Sequence, residues 1–291
     1  MFNVISSIIK PLSNAKNSGN KLSSDNKVTS ISNKLPAHGK WHYGENWPNH
    51  GWKKCGGQQQ SPIRLISQNS ESREMHINFR NYKKPIKLAY IQNNGHTVQI
   101  GFADKFKIAV YGSGTNFQSY LFKQMHFHWG SYNGVGAEHL IDGYRGPLEL
   151  HLVHYNKKYG DFDTAMDKVD GLVVLGVIFK ISSRNNRFMS TVIELVKEVP
   201  KYNDRAFILR SFTLRSLLPS RIKPFFVYNG SLTTPPCHQS VLWYLITFSF
   251  EKQFRKCRSE NNNPKTGRKK TISNNFRPIQ ALNERQVYIS A

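Results

Sequence analysis

Apolar and polar residues alternate in short runs along most of this chain. Ile86–Ile91, Thr97–Phe102, Phe106–Tyr111, Tyr120–Trp129, Leu148–Tyr155, Leu172–Lys180, Pro224–Tyr228 and Val241–Phe250 are strand-length and rich in β-branched and aromatic residues, which predicts strands. Asn94-Gly95, Asn133-Gly134 and Asn229-Gly230 punctuate them as turns. Helical spacing is scarce. The best case is Phe188–Val199, with apolar Phe188, Met189, Val192, Ile193 and Val196, stopped by Pro200. A second short helix is expected near Glu251–Arg258, and the polar, basic stretch Ser259–Lys270 is expected as a loop. No internal repeat is visible. The pattern predicts a mainly β (α+β) single domain with a few peripheral helices.

Composition narrows this further. With 38% hydrophobic and 20% charged residues the chain can bury a core, which excludes collagen-like, coiled-coil and wholly disordered readings. No apolar run approaches the ~18 residues of a transmembrane helix. The longest, Leu172 to Phe179, is strand-length and contains Gly176. Residues 1–40 differ from the rest: they are rich in Ser, Asn and Lys, with Asp25 as the only acid. They read as a disordered leader or tail, and the domain begins at Trp41. The apolar stretch Phe2 to Ile9 has no basic residue before it and no obvious small-residue cleavage site, so it makes a poor secretory signal. The basic, Ser-rich leader also resembles a mitochondrial presequence, although it lacks arginine.

Lys and Arg number 41 against 18 Asp and Glu, a formal charge of +23 that is spread along the chain. Such a surface associates with polyanions by counterion release; nothing in the sequence marks a specific nucleic-acid partner. Three cysteines, Cys55, Cys237 and Cys257, cannot all pair internally, and none forms a C-x-x-C. That excludes cysteine-rich zinc sites and thioredoxin-type chemistry.

The histidines carry the sharpest signal. His126 and His128 are two apart within a strand pattern, so both imidazoles face one way and Phe127 the other. In Glu149-Leu150-His151-Leu152-Val153-His154, the positions Glu149, His151 and Val153 share a face. If the two strands are neighbours, His151 meets His126 and His128 on one face. Three imidazoles with no fourth protein ligand describe an open zinc site. Neutral ligands leave the metal more electrophilic than thiolates or carboxylates would. Gln124 shares the face of the histidine pair and is expected to accept an imidazole N–H, as is Glu149 from His151.

At these residues the chain resembles the α-class carbonic anhydrases. Gln124–Gly130 is similar to the family's metal strand, Gly136–His139 to its "SEH" segment, and Asn229–Pro236 to its "GSLTTPP" loop. Trp41, Tyr43-Gly44 and Gln60–Ile63 resemble its N-terminal markers, and Asn275–Pro278 its C-terminal one. The resemblance covers roughly residues 41–289, and it implies a catalytic domain there with a large, twisted, mostly antiparallel central sheet. It implies a zinc lyase that reversibly hydrates CO₂ to bicarbonate and a proton. Zn²⁺ would be held by His126, His128 and His151, with Gln124, Glu149 and Asn275 behind them. Zinc-bound hydroxide would attack CO₂, oriented by Thr233 and Glu138, and His96 would shuttle the proton. Tyr43 and Asn94 match water-network positions, and Gln99 stands where many members have Asn. Val153, Val174, Leu232, Thr234, Val241 and Trp243 match the substrate-binding wall. Tyr155 replaces a frequent Trp, Pro224–Asn229 departs from the usual polar aromatic run, and the basic stretch 259–270 is unusual for the family.

The resemblance also implies a Cys55–Cys237 disulfide that leaves Cys257 free, as in secreted and membrane-attached members. By chain entropy such a bridge would contribute about 4–5 kcal/mol at the upper end. It points to an extracellular, oxidising compartment, against the mitochondrial or cytoplasmic alternatives that the leader leaves open. The competing function is a non-catalytic carbonic-anhydrase-like binding module, or a polyanion- or mineral-binding protein suggested by the charge.

Overall fold

A computed structural model describes residues 41–102, 107–180, 187–249, 260–262 and 269–291. The expectations for the leader, for a helix at Glu251–Arg258 and for Cys257 fall outside these residues.

The alternating runs form one twelve-stranded mixed sheet. Its centre is built from β1 (Ala89–Asn93), β2 (Val98–Phe102), β3 (Tyr120–Trp129), β4 (Leu148–Asn156), β5 (Leu172–Lys180), β6 (Phe225–Gly230) and β7 (Val241–Ser249). Their spatial order is β1-β2-β3-β4-β5-β7-β6, antiparallel except for the parallel β5–β7 pair. The short strand Arg205–Ile208 closes the β1 side, while Tyr288–Ser290 and then Glu71–Arg73, parallel to each other, close the β6 side. Ile77–Arg80 and Ala109–Gly112 pair beside the path.

Leu172–Phe179 is buried at every position, as a strand must be when both sheet faces are covered. The apolar cluster on one face takes Phe127, Leu150, Leu152, Val173 and Leu175. The helix α2 (Arg187–Val196) adds Met189, Val192, Ile193 and Val196 to that cluster. The other face buries Val153, Val174, Tyr228, Trp243 and Leu245. The helix α1 (Phe162–Ala165), capped by Asp161 accepting from the Thr164 N–H at 2.8 Å, lies at this second cluster. Burial of an apolar side chain stabilises by about 1.5–3 kcal/mol, so the pleat is locked from both sides.

Register puts the chemistry on the second face. Along β3 and β4, His126 faces His151, His128 faces Glu149 and Gln124 faces Val153. Gln99 of β2 faces His126 and Gly176 of β5 faces His151, which makes one row across four strands. Between Phe122 and Gln124 the ladder slips by one residue, leaving exposed Lys123 as a β-bulge. Strict alternation over Tyr120–Trp129 therefore breaks there, and Leu121 and Gln124 share a face.

Three expectations need correction. Asn229-Gly230 is not a turn: both residues continue β6, pairing with Leu242 and Val241 of β7, so the ladder carries through the dipeptide. The stretch 259–270 is not a plain loop: Glu260–Asn262 pairs antiparallel with Lys269–Thr271. Its polar side chains lack the alternation that reveals a strand, and the pairing rests on backbone groups. Ile86 is not within β1 but makes an isolated bridge to Phe212, separated from β1 by the exposed pair Lys87-Leu88.

Candidate metal centre

The three imidazoles meet as the strand register requires. One ligating atom from each of His126, His128 and His151 lies within 4.8 Å of the others. Their remaining nitrogens are tied outward. His126 Nδ1 bonds Gln124 Oε1 at 2.9 Å, His128 Nδ1 donates to the Asn275 carbonyl at 2.7 Å, and His151 Nε2 donates to Glu149 Oε1 at 2.7 Å. Each acceptor fixes one tautomer, so the inward nitrogens carry lone pairs. His128 Nε2 and His151 Nδ1 then face each other at 3.1 Å with no proton available between them. A cation at that point turns a repulsive contact into coordination, so the donor set fits zinc. Burial, followed by the neighbouring imidazoles, holds His126 well below the ordinary histidine range and His128 at about 3. Burial also lowers His151, against the pull of Glu149. All three imidazoles are therefore neutral, as metal ligation would require.

Glu149 anchors the second layer. Its Oε1 accepts from His151 Nε2 and His139 Nδ1, each at 2.7 Å. Its Oε2 accepts from the backbone N–H of Glu138 at 2.9 Å and of His139 at 2.8 Å. Burial alone would raise this carboxyl; the charge of His139 and the bonds from His139 and His151 outweigh it and hold it well below the usual range. His139 Nε2 bonds the Tyr228 hydroxyl at 2.6 Å, and that hydroxyl meets Ser61 Oγ at 2.8 Å. His139, Glu149 and His151 thus satisfy one another and do not form a second open site.

Glu138 is fully buried. Its Oε1 accepts the Arg277 backbone N–H at 2.8 Å. Its Oε2 has no hydrogen-bond partner among the described residues and lies 3.5 Å from His128 Nε2. Burial and then Glu149 push this carboxyl well up, while the neighbouring Thr233 hydroxyl and the Arg277 N–H pull it back. The Tyr43 and Tyr244 hydroxyls are likewise buried with no hydrogen-bond partner among the described residues, and Tyr43 is raised by burial and then by the charge of Glu138. Val153, Val174, Val241 and Trp243 are buried in one cluster, with Leu232 packed against it, while Thr234 is half-buried. The Trp243 indole N–H donates to the Ser231 carbonyl at 3.1 Å, tying that wall to the threonine loop.

His96 follows the turn Asn94-Gly95, where Asn94 Oδ1 accepts the N–H groups of His96 and Thr97 and Gly95 takes a φ of 87°. The half-buried His96 ring stacks on Trp41 at 3.7 Å between centroids and 6° between planes. Asn275 acts through several atoms: its carbonyl holds His128, its Oδ1 accepts the Trp129 N–H, and its Nδ2 donates to Phe127 and His96 carbonyls. Cys55 and Cys237 are joined by a disulfide.

Sequence reasoning missed Arg277. The guanidinium, only 4% exposed, donates to the carbonyls of Cys55 and Ser61 and to Gln60 Oε1 at 2.8–2.9 Å, and stands over the Trp47 ring. Burial brings it down to about 10. It joins the disulfide-bearing segment to Glu138. Gly176 was also missed as a site residue: a Cβ there would overlap Leu245 and approach Glu149 Oε1 to 3.1 Å. Only its position opposite His151 reveals this.

Residues 42–291 match the eukaryotic-type carbonic anhydrase family. Carbonic anhydrase 6 of Homo sapiens is 35% identical over 260 residues, covering 85% of this chain and 82% of that protein. Carbonic anhydrase 6 of Mus musculus is 34% identical over 266 residues, covering 87% and 82%. For the Bos taurus protein of the same name the figures are 32% over 243 residues, 80% and 73%. A match that runs through every strand bearing the histidines, and through the buried layer behind them, makes the chain a member of the eukaryotic-type carbonic anhydrase family.

Proposed function

We propose that this chain catalyses the reversible hydration of CO₂ at one zinc ion held by His126, His128 and His151, within a catalytic domain spanning 41–289. The carrying observation is the inward convergence of three neutral imidazoles whose outward protons are committed to Gln124, Asn275 and Glu149. The chemistry zinc supplies there is Lewis acidity that brings a coordinated water to a pKa of ~7, the value established for carbonic anhydrases.

The protein groups handle orientation and protons. With a dication held by the three imidazoles, Glu138 would be favoured as the charged carboxylate over the raised pKa of the metal-free site. The Thr233 hydroxyl gives its one proton to that carboxylate. Its oxygen can then only accept, so it fixes which lone pair of the reacting oxygen is directed at CO₂. The wall of Val153, Val174, Leu232, Thr234, Val241 and Trp243 suits a small apolar substrate and excludes water beside it. The Tyr43 hydroxyl is available to order solvent. His96 carries the proton out, since imidazole is the side chain that ordinarily exchanges protons near neutrality.

Stopped-flow CO₂ hydration with and without chelator, paired with metal analysis, tests this reading. One zinc per chain and chelator-sensitive hydration are expected. A zinc-free native protein refutes it, and a zinc-loaded protein with no hydration identifies a binding module instead. His126→Ala should lose metal and activity together. His96→Ala should keep zinc, lose kcat in weak buffer and be partly rescued by imidazole; an unchanged kcat assigns the shuttle elsewhere. The Cys55–Cys237 bridge supports an extracellular location. No helix among the described residues is long and apolar enough to cross a membrane. The charge of +23 supports salt-sensitive retention on heparin.

A further inference from the structure

Strand β6 is buried at every residue except Asn229. Asn229-Gly230-Ser231 is also the single Asn-x-Ser/Thr triplet in the 291 residues, the acceptor pattern for N-linked oligosaccharide. We infer that Asn229 is a glycan acceptor that is readable only before β6 folds into the sheet.

The two ends of the triplet have opposite fates. Tyr228 lies on the histidine face, in register with Trp243, Val174, Val153 and Gln124. Asn229, one residue on, projects from the other face. Its side-chain amide makes no hydrogen bond among the described residues, and its carbonyl accepts from Arg285 Nη1 at 3.2 Å. A glycan there meets solvent and stays off the histidine face. Ser231 is fully buried. Its Oγ accepts the Ser61 N–H at 2.9 Å and donates to the Leu232 carbonyl at 2.8 Å, while its own N–H donates to Ser61 Oγ at 3.0 Å. Gly230 is pressed against Ser61 and Trp243. The folded chain therefore displays the asparagine and hides the hydroxyl that completes the pattern.

In the transfer step the Asn229 amide nitrogen forms a bond to the anomeric carbon of a lipid-pyrophosphate-linked oligosaccharide. The carbon–oxygen bond to pyrophosphate breaks, lipid pyrophosphate leaves with the electron pair, and one amide proton passes to a base. This step competes with folding. Cys237 follows Ser231 closely, and its carbonyl accepts from Gln60 Nε2 at 3.4 Å beside Ser61. Closing the Cys55–Cys237 bridge holds the Ser61 segment against the triplet, so delaying the bridge prolongs access. The inference rests on an oxidising, glycosylating compartment and not on the CO₂ reaction.

The test is cell-free translation of the full chain behind a cleavable signal sequence, with microsomes, scored on the protease-protected fraction. A fraction of those chains should shift by one glycan, lose it to peptide-N-glycosidase, and increase when dithiothreitol is present during translation. Asn229→Gln should abolish the shift and Ser231→Thr should keep it. Protected chains that stay unmodified with and without dithiothreitol overturn the acceptor assignment, as does a shift that survives Asn229→Gln. Occupancy unchanged by dithiothreitol overturns the folding race.

Discussion

Glu149→Gln is a nearly isosteric change that separates shape from charge in the layer behind the three converging histidines. The carboxylate receives four N–H groups, two on each oxygen. A carboxamide keeps one accepting oxygen and turns two hydrogens toward the other pair, whichever way it is rotated. Two buried donors lose their acceptor, at about 1–3 kcal/mol each, so about 2–6 kcal/mol of stability is lost. At ~2–4 °C per kcal/mol for a unit of this size, the midpoint of thermal unfolding should fall by about 4–24 °C. If the NH₂ faces the imidazoles, it also drives the His151 proton from Nε2 to Nδ1, the atom that must point at the metal. Zinc affinity should then fall ~10–100-fold. Competition against a chromophoric chelator and differential scanning fluorimetry on the metal-free protein read the two effects separately. An affinity within twofold of the parent would refute the tautomer argument, and an unshifted melting point would refute the four-donor count.

Replacing both cysteines, Cys55→Ala with Cys237→Ala, should lower stability by up to about 5 kcal/mol from the 182-residue separation; a change below ~1 kcal/mol in denaturant titration would show that the chain-entropy argument does not apply here. Gly176→Ala should cost about 1–3 kcal/mol from overpacking against Leu245 and weaken zinc binding by displacing Glu149, whereas a variant with parental zinc affinity would show that Glu149 does not depend on this gap. Burial holds His154 at about 3, so the folded state binds fewer protons than the unfolded one between that value and ~6.5. Stability is full above that window and falls by ~1.4 kcal/mol per pH unit as acid is added. The melting temperature of metal-free protein across that range checks this, and a flat profile counts against a neutral buried His154.

Much of the sheet was legible because its central strands are amphipathic or wholly apolar. Tyr120–Trp129 and Leu172–Lys180 have the bounds their patterns predict. The short outer strands escaped notice for a physical reason. Glu71–Arg73 is exposed at all three positions, and Arg205–Ile208 buries only one, so pairing and not patterning makes them strands. α1, at four residues, is too short for a 3.6-residue period to show. The convergence of the three histidines was readable from spacing plus register, since His126 and His151 needed only to be neighbours. Thr233, Glu138 and the disulfide came from resemblance, because nothing local links positions so distant in sequence. Arg277 and Gly176 had no local signal: one is a cation whose carbonyl partners are spread over the N-terminal segment, the other a missing side chain whose value lies in what fills its place.

The bulge at Lys123 gives the metal strand an asymmetric tolerance to changes in length. Upstream of it Phe122 pairs with His154, and downstream Gln124 pairs with Val153. Deleting Lys123 would restore an uninterrupted ladder and leave every remaining side chain on its own face. An insertion between His126 and His128 would have no such outlet: it would turn one histidine into the opposite apolar core. Length variation arriving from the N-terminal side can therefore be absorbed at this one exposed lysine, while the spacing of His126 and His128 behind it stays fixed.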